Sequence, residues 1–310
     1  MTQLNKLHAS WLTVLKTAAT ALVVVLSQGQ SGHATALSSA NSPLEQPGDA
    51  APLLAQAEST ESVELSSLDS RFCPSDLQGA IANIVSQPQF NSAQWGIVIE
   101  PLDEDAALYN QRAHTALIPA SNTKLFTTAA TLQIVQERNP QALGAIEERI
   151  TIVNRDSHNG YADDLLRRIG GQSAVERVLT PLGITPDSYV QADGSGLSRR
   201  NRATPDGLVT LLKAMAEQAE AGDLFYRSLP VGGVSGTLRN RFRDTPVHAR
   251  VRAKTGTLRG VRALSGYLEN PDYGTLVFSI LINQPGQSGS VMLRAIDQIV
   301  LQAARVTPCD

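Results

Sequence analysis

Apolar and polar positions divide the chain into three regimes. An apolar run from Ala18 to Leu26 follows Lys6 and Lys16. Residues 37–71 sustain neither a helical nor a strand period, and from 72 onward regular patterns follow one another closely. Ser75 to about Val85, with Leu77, Ala80, Ile81 and Ile84 at helical spacing behind a capping serine, predicts a helix. Trp95 to Leu102 predicts a strand, 103–105 a turn, and Ala106 to Asn110 a second strand of a hairpin. Three strand-like runs come much later, at 249–255, 262–269 and 275–283, joined by short turns rich in Gly, Asn and Pro. A closing amphipathic helix spans Leu293 to Ala304. Between the two groups of strands the period is helical at 123–137, 161–170, 173–179 and 205–221, while 138–150 reads as a seam. Strands at both ends with helices between predict an α+β fold. Its core is a five-stranded antiparallel sheet assembled from distant parts of the chain, flanked by helices and joined to a helical lobe. A cleft between sheet and lobe is then the expected place for chemistry.

Composition refines this picture. The chain has 310 residues, a formal charge of -3, 42% hydrophobic residues, 5% aromatic residues and two cysteines. Enough aliphatic residues are present for a large core, which excludes a collagen-like, wholly disordered or disulfide-dense miniature chain. The Lys6–Leu26 pattern followed by Ala34-Thr35-Ala36 reads as a secretory signal peptide over 1–36. The alternative is an N-terminal anchor, but the run falls short of the ~20 residues that span a bilayer, leaving peripheral contact as the main membrane association. Residues 37–71 hold Glu45, Asp49, Glu58, Glu61, Glu64 and Asp69, with several prolines, and read as an acidic flexible tether. The folded domain is then 72–310, in the periplasm or cell envelope. Cys73 and Cys309 stand at its two ends, and export makes a disulfide between them reasonable; two unpaired thiols are the alternative.

Only five of the 26 basic residues are lysines: Lys6, Lys16, Lys124, Lys213 and Lys254. A buried amine can shed its proton, whereas a guanidinium cannot, so a lysine kept in an arginine-rich chain is a candidate for proton transfer. Lys124 lies in Ser121-Asn122-Thr123-Lys124, and a spacing of three places Ser121 and Lys124 on one helix face. A desolvated amine there can act as base toward the serine hydroxyl. Pro119 and Ala120 place Ser121 at a helix start, where the backbone dipole favours developing negative charge. Lys254 opens Lys254-Thr255-Gly256-Thr257 on a strand, with Lys254 and Gly256 on one face and the threonines on the other. The glycine marks a close approach to the backbone, by a ligand on this reading, while an edge-strand lysine that discourages aggregation is the bland alternative. Lys213 reads as an ordinary surface residue. A third element is the loop Asp193-Gly194-Ser195-Gly196-Leu197-Ser198-Arg199-Arg200-Asn201.

With these elements in the order 121, 198 and 254, the chain resembles the penicillin-recognising serine acyl-enzymes, whose fold is β-lactamase/transpeptidase-like. The words around Ser121 and Lys254, the loop 193–201 and Gly233-Val234-Ser235-Gly236-Thr237-Leu238 narrow the resemblance. They are similar to the penicillin-binding-protein-4 type D-alanyl-D-alanine carboxypeptidases, also called DacB or peptidase family S13. The resemblance implies Ser121 as nucleophile, Lys124 as its base and Ser198 as a proton relay. Asn201 would bind the substrate amide, and Lys254, Thr255, Gly256 and Thr257 would handle the terminal carboxylate. Backbone amides of Ser121 and Thr257 would form the oxyanion hole. The implied activity is that of a serine DD-carboxypeptidase or endopeptidase on the D-Ala-D-Ala end of a peptidoglycan stem peptide, β-lactams are the implied inhibitors, and no metal or cofactor is implied. Two departures stand out: the second motif of such enzymes is Ser-x-Asn, whereas Ser198 and Asn201 are separated by two residues. Members of ordinary size also carry domains between the first two motifs, which are missing here.

Other chemistries fit less well. His114, His158 and His248, the histidines after the signal, lack metal-ligand spacing, and no Gly-x-Ser-x-Gly supports a Ser-His-Asp triad. Asp156-Ser157-His158-Asn159 reads as a cap and turn, with a cleft-wall loop as the alternative. Eight bases against one acid over 239–262 could serve nucleic acid, but export excludes that partner. They predict a basic cleft rim including Arg259 and Arg262, or else a solvated surface. A β-lactamase requires a deacylating carboxylate that no Glu-x-x-x-Asn loop supplies. A catalytically weak or non-catalytic peptidoglycan-binding homologue is the third class.

Overall fold

The computed structural model describes residues 71–104 and 106–309. The signal peptide and all but the last residue of the tether lie outside the described residues. Helix α1 (Pro74–Val85) starts behind Cys73, whose N–H donates to the Asp76 carboxylate at 2.9 Å. Strand β1 (Gln94–Pro101) and the short β2 (Tyr109–Gln111) follow. Helices α2 (Thr123–Arg138), α3 (Leu143–Arg155), α4 (Asn159–Ile169) and α5 (Gln172–Leu179) build the lobe. Two-residue strands β3 (Tyr189–Val190) and β4 (Arg202–Ala203) pair across the loop 191–201, and α6 (Pro205–Ala216) and α7 (Glu220–Ser228) complete the lobe. Strands β5 (Val251–Leu258), β6 (Val261–Asn270) and β7 (Gly274–Asn283) precede the closing helix α8 (Gly289–Ala303).

The large sheet has the order β2-β1-β7-β6-β5 and every pairing is antiparallel, so the expected fold is the observed one. Alternation of side chains along the strands makes three layers. Ile97, Ile99, Leu264, Phe278, Ile280 and Ile282 face α1 and α8, while Val98, Ala263, Tyr267, Val277 and Leu281 face the lobe. Both faces are buried, and at about 1.5–3 kcal/mol per large aliphatic side chain this burial is the main force joining the chain's two ends in one sheet. Cys73 and Cys309 form a disulfide with Cα atoms 5.5 Å apart, beside the packed pair α1 and α8. Among the described residues, no helix is long and apolar enough to cross a membrane.

Four local expectations change. Strand β2 starts at Tyr109 rather than 106, because pairing with β1 begins only where the Leu108 N–H reaches the Ile99 carbonyl at 2.9 Å. Strand β5 runs 251–258 rather than 249–255; Ala249 has a left-handed φ of 60°, incompatible with a strand. The helix expected over 205–221 breaks in two: Ala219, with ψ -100°, leaves the helical conformation, and the start of α7 is held by a tertiary contact in which the Ala221 N–H donates to the Gln136 side-chain oxygen on α2 at 3.2 Å. The seam 138–150 is mostly helix: Leu143, Ile150 and Val153 are buried at helical spacing, leaving only the single turn Pro140–Ala142 between α2 and α3.

Candidate active site

Ser121 lies in a single 3-10 turn, Ala120–Asn122, that runs into α2. Three sets of contacts fix this turn to the sheet. Asn283 at the end of β7 accepts from the Ile118 N–H at 2.8 Å and donates to the Ile118 carbonyl at 3.0 Å. Asn122 donates to the Ser265 hydroxyl at 2.7 Å, and Ser265 donates on to Ser279 at 2.9 Å, a buried polar chain between β6 and β7. Gly256 on β5 lies against the turn itself: a Cβ there would come 2.6 Å from the Pro119 carbonyl oxygen and 2.8 Å from the Ala263 Cβ. The glycine expected to admit a ligand therefore admits the backbone beside the serine. Ala120 takes a left-handed φ of 49°, a strained conformation immediately before Ser121.

Lys124 is fully buried one turn along. Its ammonium donates to the Ser121 hydroxyl at 3.0 Å, to the Asn159 side-chain carbonyl at 2.8 Å and to the Ser195 backbone carbonyl. Burial drives its pKa down to about 8, while Asp163 and Asp193 pull it up. Lys254, also fully buried, donates to the Ser157 hydroxyl at 2.9 Å and to the Thr255 carbonyl at 3.1 Å. Burial first and the charge of Lys124 second hold its pKa well below the ordinary lysine value. An amine so desolvated can accept the hydroxyl proton of Ser121, which itself is only half-buried and open to solvent.

The lysines are bracketed by Ser157-His158-Asn159, a strap between α3 and α4. It is the single Ser-x-Asn between residues 71 and 310. Ser157 takes a left-handed φ of 60°, with its hydroxyl on Lys254 and the next side chain but one on Lys124. The hydrogen bonds of Ser198 and Asn201 stay within the loop 191–201. The Ser198 hydroxyl accepts from the Arg200 N–H at 3.2 Å, within its own loop, and neither Lys124 nor Lys254 hydrogen-bonds to it. Asn201 is fully buried with four bonds: its carbonyl accepts from the Ala192 and Asp193 N–H groups, and its amide donates to Asp193 and to the Ser198 carbonyl. That uses its whole capacity, so Asn201 holds a loop and has nothing left for a substrate amide. The loop contributes through the Ser195 carbonyl. Gly196 makes this possible with φ 83° and a backbone so close to Ala120 that a Cβ would overlap the Ala120 carbonyl oxygen. The sequence left Asp156–Asn159 between a cap and turn and a cleft-wall loop; His158 does cap α4, and the contacts of Ser157 and Asn159 with the two lysines were not foreseen, although the Ser-x-Asn spacing was the available signal.

Thr255 and Thr257 point to the opposite side of β5 from Lys254, as alternation requires, and Thr255 donates to Thr237 at 2.8 Å. They line a small cavity of about 140 Å³ with Thr237, Arg241, Arg262, Leu293 and Ile296. The basic segment around them is largely occupied. Arg241 pairs with Asp297, Arg250 donates to the Pro246 and Glu269 carbonyls, Arg252 lies 4.9 Å over the Tyr226 ring, and Arg262 donates to the Leu258 and Val261 carbonyls. Lys213 lies outside the site, 3.3 Å from Glu100. Among the described residues, no cluster of His, Cys, Asp or Glu is arranged to hold a metal.

A half-buried serine on a buried amine, between a sheet edge and a helical lobe, is set in a fold shared with two groups of solved structures. Penicillin-binding protein 4 (DacB) from Haemophilus influenzae, complexed with a β-lactam, superposes with a TM-score of 0.61 at 14% identity, over 72% of this chain and 98% of that one. The TLA-1 S70G extended-spectrum β-lactamase gives 0.62 at 16% identity, over 74% and 98%. The family is narrower than the fold: the D-Ala-D-Ala carboxypeptidase 3 (S13) family matches residues 77–139 and 144–306, and the chain belongs to it. The break in that match falls on the Pro140–Ala142 turn. The D-alanyl-D-alanine carboxypeptidase of Actinomadura sp. strain R39 is 42% identical over 164 residues, covering 48% of this chain and 30% of that protein. DacB of Haemophilus influenzae is 32% identical over 143 residues, covering 42% and 30%. The matched part thus spans about a third of these relatives' length.

Proposed function

We propose that the protein is a serine-type D-Ala-D-Ala carboxypeptidase acting on peptidoglycan stem peptides through an acyl-enzyme on Ser121. The observation that carries this reading is the buried Lys124 ammonium 3.0 Å from the Ser121 hydroxyl. Deprotonated Lys124 takes the hydroxyl proton as the Ser121 oxygen attacks the carbonyl of the penultimate D-Ala. Backbone amides of Ser121 and Thr257 receive the oxyanion, an interaction worth several kcal/mol in comparable sites. Ser157, hydrogen-bonded to Lys254, delivers a proton to the departing D-Ala amine; it takes the role that Ser198 was expected to fill. Asn159 replaces Asn201 as the side chain beside the substrate amide. Lys254, with Thr255 and Thr257 at the free edge of β5, receives the terminal carboxylate. Water then hydrolyses the ester and restores Ser121. A β-lactam enters by the same attack, with its ring nitrogen as the leaving group.

Residues 1–36 serve as an export signal and 37–71 as a tether on this reading, and the Cys73–Cys309 disulfide favours an oxidising compartment such as the periplasm. The Pro140–Ala142 turn stands where larger relatives carry inserted domains. The test is intact mass after incubation with a labelled penicillin, alongside Ser121→Ala. An adduct lost in the variant supports the acyl-enzyme; no adduct at any concentration leaves a non-catalytic wall-binding protein, and rapid release of hydrolysed antibiotic identifies a β-lactamase.

A further inference from the structure

The strap that holds both lysines is itself held by its middle residue. His158 is the N-cap of α4, and its Nδ1 accepts from the Tyr161 N–H at 3.1 Å. Its neighbours on either side make the two contacts that matter: Ser157 with Lys254 at 2.9 Å and Asn159 with Lys124 at 2.8 Å. Asn159 is the first residue of α4, so the cap that fixes the start of this helix also fixes the Asn159 carbonyl. An imidazole can accept at Nδ1 only while that nitrogen is unprotonated. Asparagine is the conservative replacement that also accepts from the first-turn amides of a helix, whereas alanine offers no acceptor.

We propose that His158 is a positioning residue whose imidazole caps α4 and thereby holds Ser157 on Lys254 and Asn159 on Lys124. The inference rests on the acyl-enzyme reading above. The groups around the ring are known: from α3, Arg149 lies 4.6 Å over the Tyr161 ring that packs 4.2 Å from His158, and Arg155 pairs with Asp156 just before the strap. Arg239, from the turn before β5, acts on Asp156, and Asp163 on α4 acts on Lys124. Through Ser157 and Asn159, Lys254 and Lys124 complete the set. The exposed imidazole supplies the acceptor for the Tyr161 N–H, and no other acceptor for that N–H is present among the described residues.

The test compares β-lactam acylation of the wild-type full chain, His158→Asn and His158→Ala. Asparagine keeps an N-cap acceptor and alanine removes it. His158→Asn should match the wild type, and His158→Ala should acylate about fivefold more slowly, the factor of a typical cap. His158→Ala equal to wild type, or His158→Asn as slow as His158→Ala, overturns the proposal. Protection of the Tyr161 amide from hydrogen exchange reads the cap without reference to activity and shows whether each variant is folded. A wild type that forms no adduct overturns the acyl-enzyme reading instead; Tyr161 amide protection that is lost in His158→Ala and kept in His158→Asn then supports the cap, and protection unchanged in all three overturns it.

Discussion

Lys124 combines full burial with three acceptors, and this determines what its substitution should do. A base with a pKa of about 8 is mostly protonated at neutral pH, so acylation of Ser121 should rise about tenfold per pH unit up to about 8 and level off above. Stopped-flow acylation between pH 6 and 9.5 checks this; a rate that is flat through 8 removes Lys124 as the base. Lys124→Met should cost about 10²–10⁴-fold in acylation. The two assignments of the second motif separate equally clearly. Ser157→Ala should cost about 10²-fold or more, whereas Ser198→Ala should change acylation by no more than about twofold. The reverse order would return the relay to Ser198. Ser121, Lys124 and Lys254 were legible in the sequence because a Ser-x-x-Lys pair lies within one helical turn and a rare lysine announces itself by composition. Ser157 and Asn159 stood in the sequence as the single Ser-x-Asn of residues 71–310, but two loops carried Ser and Asn, and packing decided which one reaches the lysines.

At the scale of elements, the serine turn is positioned by what β5 lacks. Gly256→Ala would press a methyl group against the Pro119 carbonyl and the Ala263 side chain. The expected result is a loss of about 1–3 kcal/mol of stability together with a greater fall in acylation, since the displaced turn carries Ser121. Denaturant unfolding and acylation measured on the same variant check it; unchanged acylation would mean that the turn is held by Asn122 and Asn283 alone. The short strands β3 and β4 have a comparable task, because they close the 191–201 loop so that the Ser195 carbonyl meets Lys124. The period of apolar residues had revealed most strands and helices. The break between α6 and α7 and the first residues of β2 and β5 depended on contacts with other elements, which no local period reports.

Across the whole molecule, two features pull stability in opposite directions. The disulfide closes a loop with a sequence separation of 236, and its reduction should cost about 2–4 kcal/mol, lowering Tm by roughly 5–15 °C. Calorimetry with and without reductant checks this. The buried lysines act the other way. Between about 8 and the ordinary lysine value of 10.5, the unfolded chain binds more protons at Lys124 than the folded protein does. Stability contributed at this site therefore rises with pH through that window, and the full cost of holding the amine applies below it. Lys124→Met should be more stable than wild type at pH 7, with the gap narrowing between about pH 8 and 9.5, short of the range in which tyrosines ionise. A gap that is constant or widens with pH would contradict the depressed pKa.

The sequence by itself determined the strands, the flanking helices and the Ser121–Lys124 pair, because each follows from short-range periods, a one-turn spacing or a count of rare residues; whether Cys73 and Cys309 meet it left open. Tertiary structure alone decided the second motif, the purpose of Gly256 and the role of the 193–201 loop. Each of these depends on which backbone comes within hydrogen-bonding or van der Waals reach of α2, and that is settled by long-range packing of the lobe against the sheet rather than by any pattern along the chain.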